Sequence, residues 1–259
     1  MKNKKLIIFL SIFVFLAVIV VLSSTVFTLH SVSVKLVTDP EAALANEQQI
    51  IDSAQFRYGE SIFFSSKKTY SQNIEKANPY LRVVNIETIA PDKLVIHVAQ
   101  RQECYKIKVG DKYAITDENL KVLRIAEVYE NTNNAIEVKN SGLSDQEVEP
   151  GDFFESDGYL TEVFTTFREW NLNYDEIKES ISYIQLDYNK QDTLLVKMES
   201  GVNIVVENSK VQLSFKMNSA FSIYGAETDK NGNPVDFSTS GTILITETEN
   251  GVYASYKPE

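Results

Sequence analysis

Residues 78–101 read NPYLRVVNIETIAPDKLVIHVAQR, and this stretch decides the fold. Two alternating apolar runs flank a Pro91-Asp92 turn. In the first, Val84, Ile86 and Thr88 fall on one face, with Asn85 and Glu87 opposite. In the second, Leu94, Ile96 and Val98 share a face and His97 lies on the other. Successive side chains of a strand point to opposite sides of the sheet, so this period-two pattern marks a half-buried strand. Pro91 lacks an N–H, and between the runs it breaks no ladder bond. The stretch reads as a β-hairpin that buries one face, with no mark of an active site.

Two helices are expected upstream. Ser66 can cap one of them, with Tyr70, Ile74 and Ala77 at helical spacing on one face. Pro79 stops it, because an interior proline removes a hydrogen bond and clashes with the preceding turn. Asp39-Pro40-Glu41 opens the other, with Asp as N-cap, Pro at the first helical position and Glu near the positive dipole end. Leu44, Ile51 and Ala54 share a face of it, and Tyr58-Gly59 ends the segment. Before it, Val32, Val34 and Leu36 alternate with Ser33 and Lys35 as a short strand. The order is strand, helix, helix, strand, strand.

Residues 6–29 carry no Asp, Glu, Lys or Arg, and 6–22 are apolar apart from Ser11. A bilayer core of ~30 Å needs about 20 such residues in a helix. Lys2, Lys4 and Lys5 precede the run and no acidic residue occurs before Asp39, which puts the N-terminus in the cytoplasm and the remainder outside. The rival is a cleaved signal peptide, for which Val21-Leu22-Ser23 is a passable site. Such a peptide has an apolar region of about 7–15 residues. This run continues through Val26 and Phe27, so an uncleaved anchor is the reading adopted.

The chain has 25 basic and 36 acidic residues, a net charge of −11. Without the three N-terminal lysines the outer part holds 22 basic against 36 acidic, or −14. A surface of that sign repels nucleic acid and anionic headgroups. Cys104 is the single cysteine, so no internal disulfide forms and the fold stands on packing.

Downstream the chain is β-rich. Tyr105, Ile107 and Val109 alternate, Gly110-Asp111 turns, and residues 113–116 return. Asp117-Glu118-Asn119 is a turn in which Asn tolerates a left-handed conformation. Residues 126–150 are polar and poorly patterned. A helix is expected from Ser156 or Asp157 to Trp170, with Leu160, Phe164 and Phe167 on one face. Residues 181–188 read as a strand, and 193–198 with 202–206 as a hairpin around Ser200-Gly201. Residues 210–224 form a last helix carrying Leu213, Met217 and Phe221. A turn at 230–234 precedes closing strands at 242–246 and 252–256, joined through Asn250-Gly251.

Catalytic chemistry finds little support. His30 and His97 are the only histidines, and nucleophilic triads and dyads built on histidine would need one of them. Asp145-Gln146-Glu147-Val148-Glu149 is acidic but lacks the spacing of a calcium loop. No Gly-rich phosphate loop is present. No catalytic, cofactor-binding or metal-ligating residue is assigned, and no small-molecule substrate. Of the aromatics, Tyr224, Phe237, Tyr253 and Tyr256 are candidates for partial exposure, with ordinary core packing the preferred reading.

A short tail, one anchor and this element order resemble the FtsQ/DivIB family of bacterial cell-division proteins, whose first outer module is a POTRA domain. Gly59-Glu60-Ser61-Ile62-Phe63 is similar to the family's motif before the second helix. Pro79 with Val84 and Ile86, and residues 91–98, are similar to its two strand motifs. Gln100-Arg101 stands where the family has Glu-Arg, and residues 113–117 are similar to its strand ending in Asp. Asn119 departs from the pattern, standing near an expected Gly. The resemblance implies an α+β chain: cytoplasmic tail 1–5, transmembrane helix 6–29, POTRA domain 30–101 and a β-rich FtsQ/DivIB domain 102–259. It implies a non-catalytic scaffold in the plasma membrane at the septum, with bitopic coiled-coil partners of the FtsB/DivIC and FtsL type. Alternatives are a POTRA protein with a chaperone-like or secretion role, or a wall-active enzyme. The last strand has only Lys257-Pro258-Glu259 after it. Unpaired strand edges are docking surfaces, and the resemblance points to this end. The expected partner site is therefore Val252, Tyr253, Ala254, Ser255 and Tyr256, with Tyr253 or Tyr256 as anchor.

Overall fold

The structure, a computed structural model, describes residues 2–39, 46–127, 135–170, 173–187, 192–226, 228, 232, 234, 241–249 and 251–258. Outside these lie Pro40, Glu41, Leu44, Tyr188, Phe237 and Asn250, and most of the expected turn at 230–234. The chain divides into two compact units, Met1–Arg101 and Gln102–Glu259, and is α+β.

The first unit contains α1 (Lys2–Thr25), β1 (Ser31–Leu36), α2 (Glu47–Ser53), α3 (Lys67–Ala77), β2 (Leu81–Ile89) and β3 (Lys93–Gln100). The hairpin forms as its alternation predicts, β2 antiparallel to β3. β1 runs parallel to β3 on its other side, giving the order β1-β3-β2. Leu94, Ile96 and Val98 are fully buried and pack with Ile86, Val34, Ile50, Ile51, Ala54, Ile62, Tyr70 and Ile74. A β-bulge between Val83 and Asn85 shifts the register by one residue. It turns Val84 out to solvent and brings Val83 against the core, the reverse of the expected parity. Ala77, expected on the buried face of α3, is exposed. Ser66 is the N-cap of α3, though its hydroxyl bonds the Thr69 hydroxyl rather than a backbone N–H.

Both edges of this small sheet are partly closed from within. The Glu47 carboxylate accepts the Val34 N–H at 2.9 Å, and the Glu75 carboxylate accepts the Val83 N–H at 2.8 Å.

The second unit contains β4 (Tyr105–Val109), β5 (Lys112–Thr116), β6 (Val122–Ala126), β7 (Ile136–Lys139), α4 (Tyr159–Glu169), α5 (Tyr174–Ser180), β8 (Ile181–Asp187), β9 (Thr193–Met198), β10 (Asn203–Val206), α6 (Leu213–Tyr224), β11 (Gly241–Thr248) and β12 (Gly251–Pro258). Among the described residues these strands form one sheet, ordered β12-β11-β10-β9-β8-β7-β4-β5-β6. The parallel pairs β7–β8 and β10–β11 are crossovers, through α4 with α5 and through α6 respectively. α5 packs on β8, α6 on β10, β11 and β12, and α4 on both other helices. Leu160, Phe164, Phe167, Leu213, Met217 and Phe221 are buried as their spacing predicts. Trp170 stacks on Phe221 with ring centroids 4.3 Å apart.

Four features depart from the sequence reading. β7 lies within the segment read as unpatterned, and β6 and α5 were not anticipated. The turn after β5 places Leu120, not Asn119, in the left-handed region (φ 62°). The Asp117 carboxylate stabilises that turn by accepting the N–H groups of Asn119 and Lys121, both at 2.9 Å.

Candidate protein-binding edge

β12 is the terminal strand of the large sheet. It pairs antiparallel with β11 over its whole length, from Gly241 opposite Pro258 to Thr248 opposite Gly251. Among the described residues no strand pairs with its outer side. Its side chains alternate. Val252, Ala254 and Tyr256 pack against the helix-covered core. Tyr253 points the other way and is 61 % exposed. The two tyrosines expected as anchors thus have different surroundings: Tyr253 lies on the surface and Tyr256 belongs to the packing. Gly241 explains the placement of Tyr256, since a Cβ there would sit 2.6 Å from the tyrosine hydroxyl. Only the missing side chain lets the ring lie over β11.

The opposite edge differs. The first residue of β6 is bonded on its outer side by the segment 151–153: Val122 N–H to Asp152 O at 2.9 Å and Gly151 N–H to Val122 O at 2.8 Å. Arg124 is held by Glu103 at 2.8 Å. β12 has one lysine and one proline, both at its end, and no charge between Gly251 and Tyr256. Edges that avoid pairing carry charges, bulges or covering segments. Residues 251–256 carry no charge and no bulge in their pairing with β11.

A second constellation ties the small sheet together. Arg101 donates to the Glu75 carboxylate at 2.8 Å through Nη2 and to the Leu81 carbonyl at 3.1 Å through Nε. Its own N–H reaches Tyr80 O at 2.8 Å. Glu75 in turn closes the β2 edge at Val83. One guanidinium thereby joins the end of β3 to the start of β2 and to α3.

A family model described as POTRA domain, FtsQ-type, matches residues 42–101. Cell division protein DivIB of Clostridium tetani is 27 % identical over 74 % of this chain and 69 % of its own length. DivIB of Clostridium acetobutylicum is 23 % identical over 70 % of this chain and 78 % of its own length. DivIB of Clostridium botulinum strain Hall is 34 % identical over 73 residues, 28 % of each chain. These similarities support the FtsQ/DivIB family as that of this chain.

The FtsQ/DivIB motif residues now have physical roles. Gly59 has φ +85°, and its N–H bonds Leu29 O at 2.9 Å. Ile62 is fully buried. Arg101 is the clasp just described, and Asp117 the turn anchor. The residues weighed for chemistry are accounted for structurally. The His97 ring bonds the Glu87 carboxylate at 3.1 Å across the hairpin, and His30 Nδ1 lies 2.8 Å from Thr28 O. Cys104 is buried, and burial together with the Glu118 and Asp117 charges pushes its thiol well above the ordinary range. Among the described residues no group of three or more His, Cys, Asp or Glu is placed to hold a metal.

Sequence reading missed the buried lysines. Lys216 donates to Glu207 O, Asn208 O and the Glu247 carboxylate, at 3.2, 2.8 and 3.2 Å, joining α6 to β11. Lys121 donates to Gly151 O at 2.8 Å and lies over the Phe153 ring. Neither sits in a motif, and a lysine in a sequence ordinarily reads as solvent-facing.

Proposed function

We propose that this chain is a non-catalytic, membrane-anchored cell-division protein that docks a partner by strand addition along β12. The observation that carries the proposal is the open β12 edge, uncharged over residues 251–256, with Tyr253 exposed beside it. An added strand completes the backbone ladder, and an aromatic in reach gives it register. The partner class follows from the family: small bitopic coiled-coil proteins of the FtsB/DivIC and FtsL type, at the septum.

Anchoring rests on α1. Among the residues whose side chains are described, no helix is long and apolar enough to cross a membrane. The helical backbone of α1 runs from Lys2 to Thr25. At 1.5 Å per residue, the helical residues 6–25 span about 30 Å, which matches a ~30 Å bilayer core. The described side chains of the run are exposed and apolar all round, which suits lipid and not water. The three lysines before the run orient the N-terminus to the cytoplasm.

The test is coprecipitation of the coiled-coil partner by the full chain and its Tyr253→Ala variant. Truncating a central aromatic anchor costs about 2 kcal/mol, or roughly thirtyfold in Kd. Circular dichroism checks that the variant is folded. Equal capture by both chains sinks the site assignment. A fluorescent fusion spread evenly around dividing cells sinks the division role and favours a secretion-type module.

A further inference from the structure

Beyond the β12 edge, one exposed apolar cluster has no function assigned. It lies in the loop between α2 and α3, where Tyr58, Phe63 and Phe64 are 56, 59 and 84 % exposed. The loop is tied by main-chain bonds to the residues that follow α1. Ile62 N–H reaches Phe27 O at 3.0 Å, Leu29 N–H reaches Glu60 O at 2.8 Å, and Gly59 N–H reaches Leu29 O at 2.9 Å. Thr28 and Ser61 form a bridge, and the Phe27 and Phe63 rings are 5.3 Å apart. Val26, the residue before Phe27, is also exposed.

We propose that loop 58–64, with Val26 and Phe27, is an interfacial lipid contact that seats the first unit on the outer leaflet. The inference rests on α1 crossing the bilayer. Thr28 is three residues past the helix end at Thr25, and three residues reach at most about 10 Å. The headgroup zone is about 5–8 Å deep on each side. A loop hydrogen-bonded to residues 27–29 is therefore held within about 10 Å of the helix end, in reach of headgroup level. Its chemistry matches that level, where aromatic rings bury their bodies and cationic side chains reach the phosphates. Residues 55–69 contain Arg57, Lys67 and Lys68 against the single acid Glu60, in a chain of net charge −11. This local basic excess beside the aromatics matches an anionic lipid surface. The β2–β3 turn joins the same end, since Asp92 O accepts the N–H of His30 at 2.9 Å.

The experiment uses the full chain in vesicles of phosphatidylglycerol and phosphatidylethanolamine. Single cysteines at Phe64, Ala77 and Val14 carry an environment-sensitive fluorophore, in a Cys104→Ala background. Spin-labelled lipids quench at shallow or deep positions. The label at Phe64→Cys should emit to the blue and be quenched by the shallow lipid, and that at Ala77→Cys, at the far end of α3, should do neither. The label at Val14→Cys should be quenched by the deep lipid. If Val14→Cys is quenched but Phe64→Cys behaves like Ala77→Cys, the lipid contact is wrong and the patch is left to a protein partner. If Val14→Cys escapes the deep quencher, the anchor itself is wrong and the proposal falls with it.

Discussion

Replacing Arg101 with methionine should loosen the small sheet, by an amount the geometry sets. The Arg101 and Glu75 side chains are 7 and 19 % exposed and meet at 2.8 Å. Removing one member of a buried pair typically costs about 3–5 kcal/mol, because the other charge stays behind without compensation. Glu75 keeps some water and the Val83 N–H, which argues for the lower end, about 3 kcal/mol. Methionine retains the packing of the arginine stem, so the loss is mainly that of the charge and its bonds. The control is Arg57→Met, whose partner Glu60 lies 3.3 Å away with both side chains at least half exposed. Such surface pairs contribute about 0–1 kcal/mol. Amide hydrogen exchange read by mass spectrometry over residues 81–100 is the assay, since it reports local opening of β2 and β3. A loss of about 3 kcal/mol appears as roughly a hundredfold faster exchange. If Arg101→Met and Arg57→Met exchange at the same rate in this segment, the clasp does not hold the sheet and the reasoning is refuted.

Ile86→Asp should unfold or strongly destabilise the first unit, since it places a carboxylate at a position only 4 % exposed, while Glu87→Ser should be nearly silent in a urea melt. Val83→Asp should be worse than Val84→Asp, because the bulge turns Val84 outward. Stability should fall on the alkaline side. Burial raises Cys104 well above its ordinary value and, with Glu118, raises Tyr174 to about 12. Both contributions are fully present below the unfolded-state values. As pH rises past those values the unfolded chain releases its protons first, so stability is lost from about pH 8.5 for the thiol and between about 10 and 12 for the tyrosine. Unfolding midpoints measured against pH should show the slope beginning later in Cys104→Ala; an identical onset in the two chains would contradict this assignment.

The parts of the fold visible in the sequence were those governed by a single period. The β2–β3 hairpin, α4 and α6 each bury one face, and their apolar spacing records it directly. The bulge at Val83 was hidden because Val83 and Val84 are the same residue type, so either fits the inward position. α5 is only seven residues long, too short for periodicity to register, yet Asn173 and Glu176 form a capping box whose spacing was available to be read. β7 has four residues inside an otherwise polar stretch. Leu120 takes its left-handed backbone because the Asp117 carboxylate and its own burial hold it there, against local preference. Strand order was least accessible. That β12 ends the sheet depends on β10 and β11 pairing in parallel through α6, a long-range choice that no local pattern records. At the candidate edge, the strand was readable from its alternation, but the burial of Tyr256 depended on a glycine fifteen residues away.

The most direct test of the account is amide exchange across residues 251–258 of the full chain, with and without the coiled-coil division partner. In the free protein the amides that bond β11 should be protected and those facing outward should exchange quickly. Strand addition predicts that the outward amides of β12 become protected on binding, while those of β6 at the other edge do not change. A bound partner that leaves exchange in β12 unaltered would contradict the assignment of this edge as the docking site.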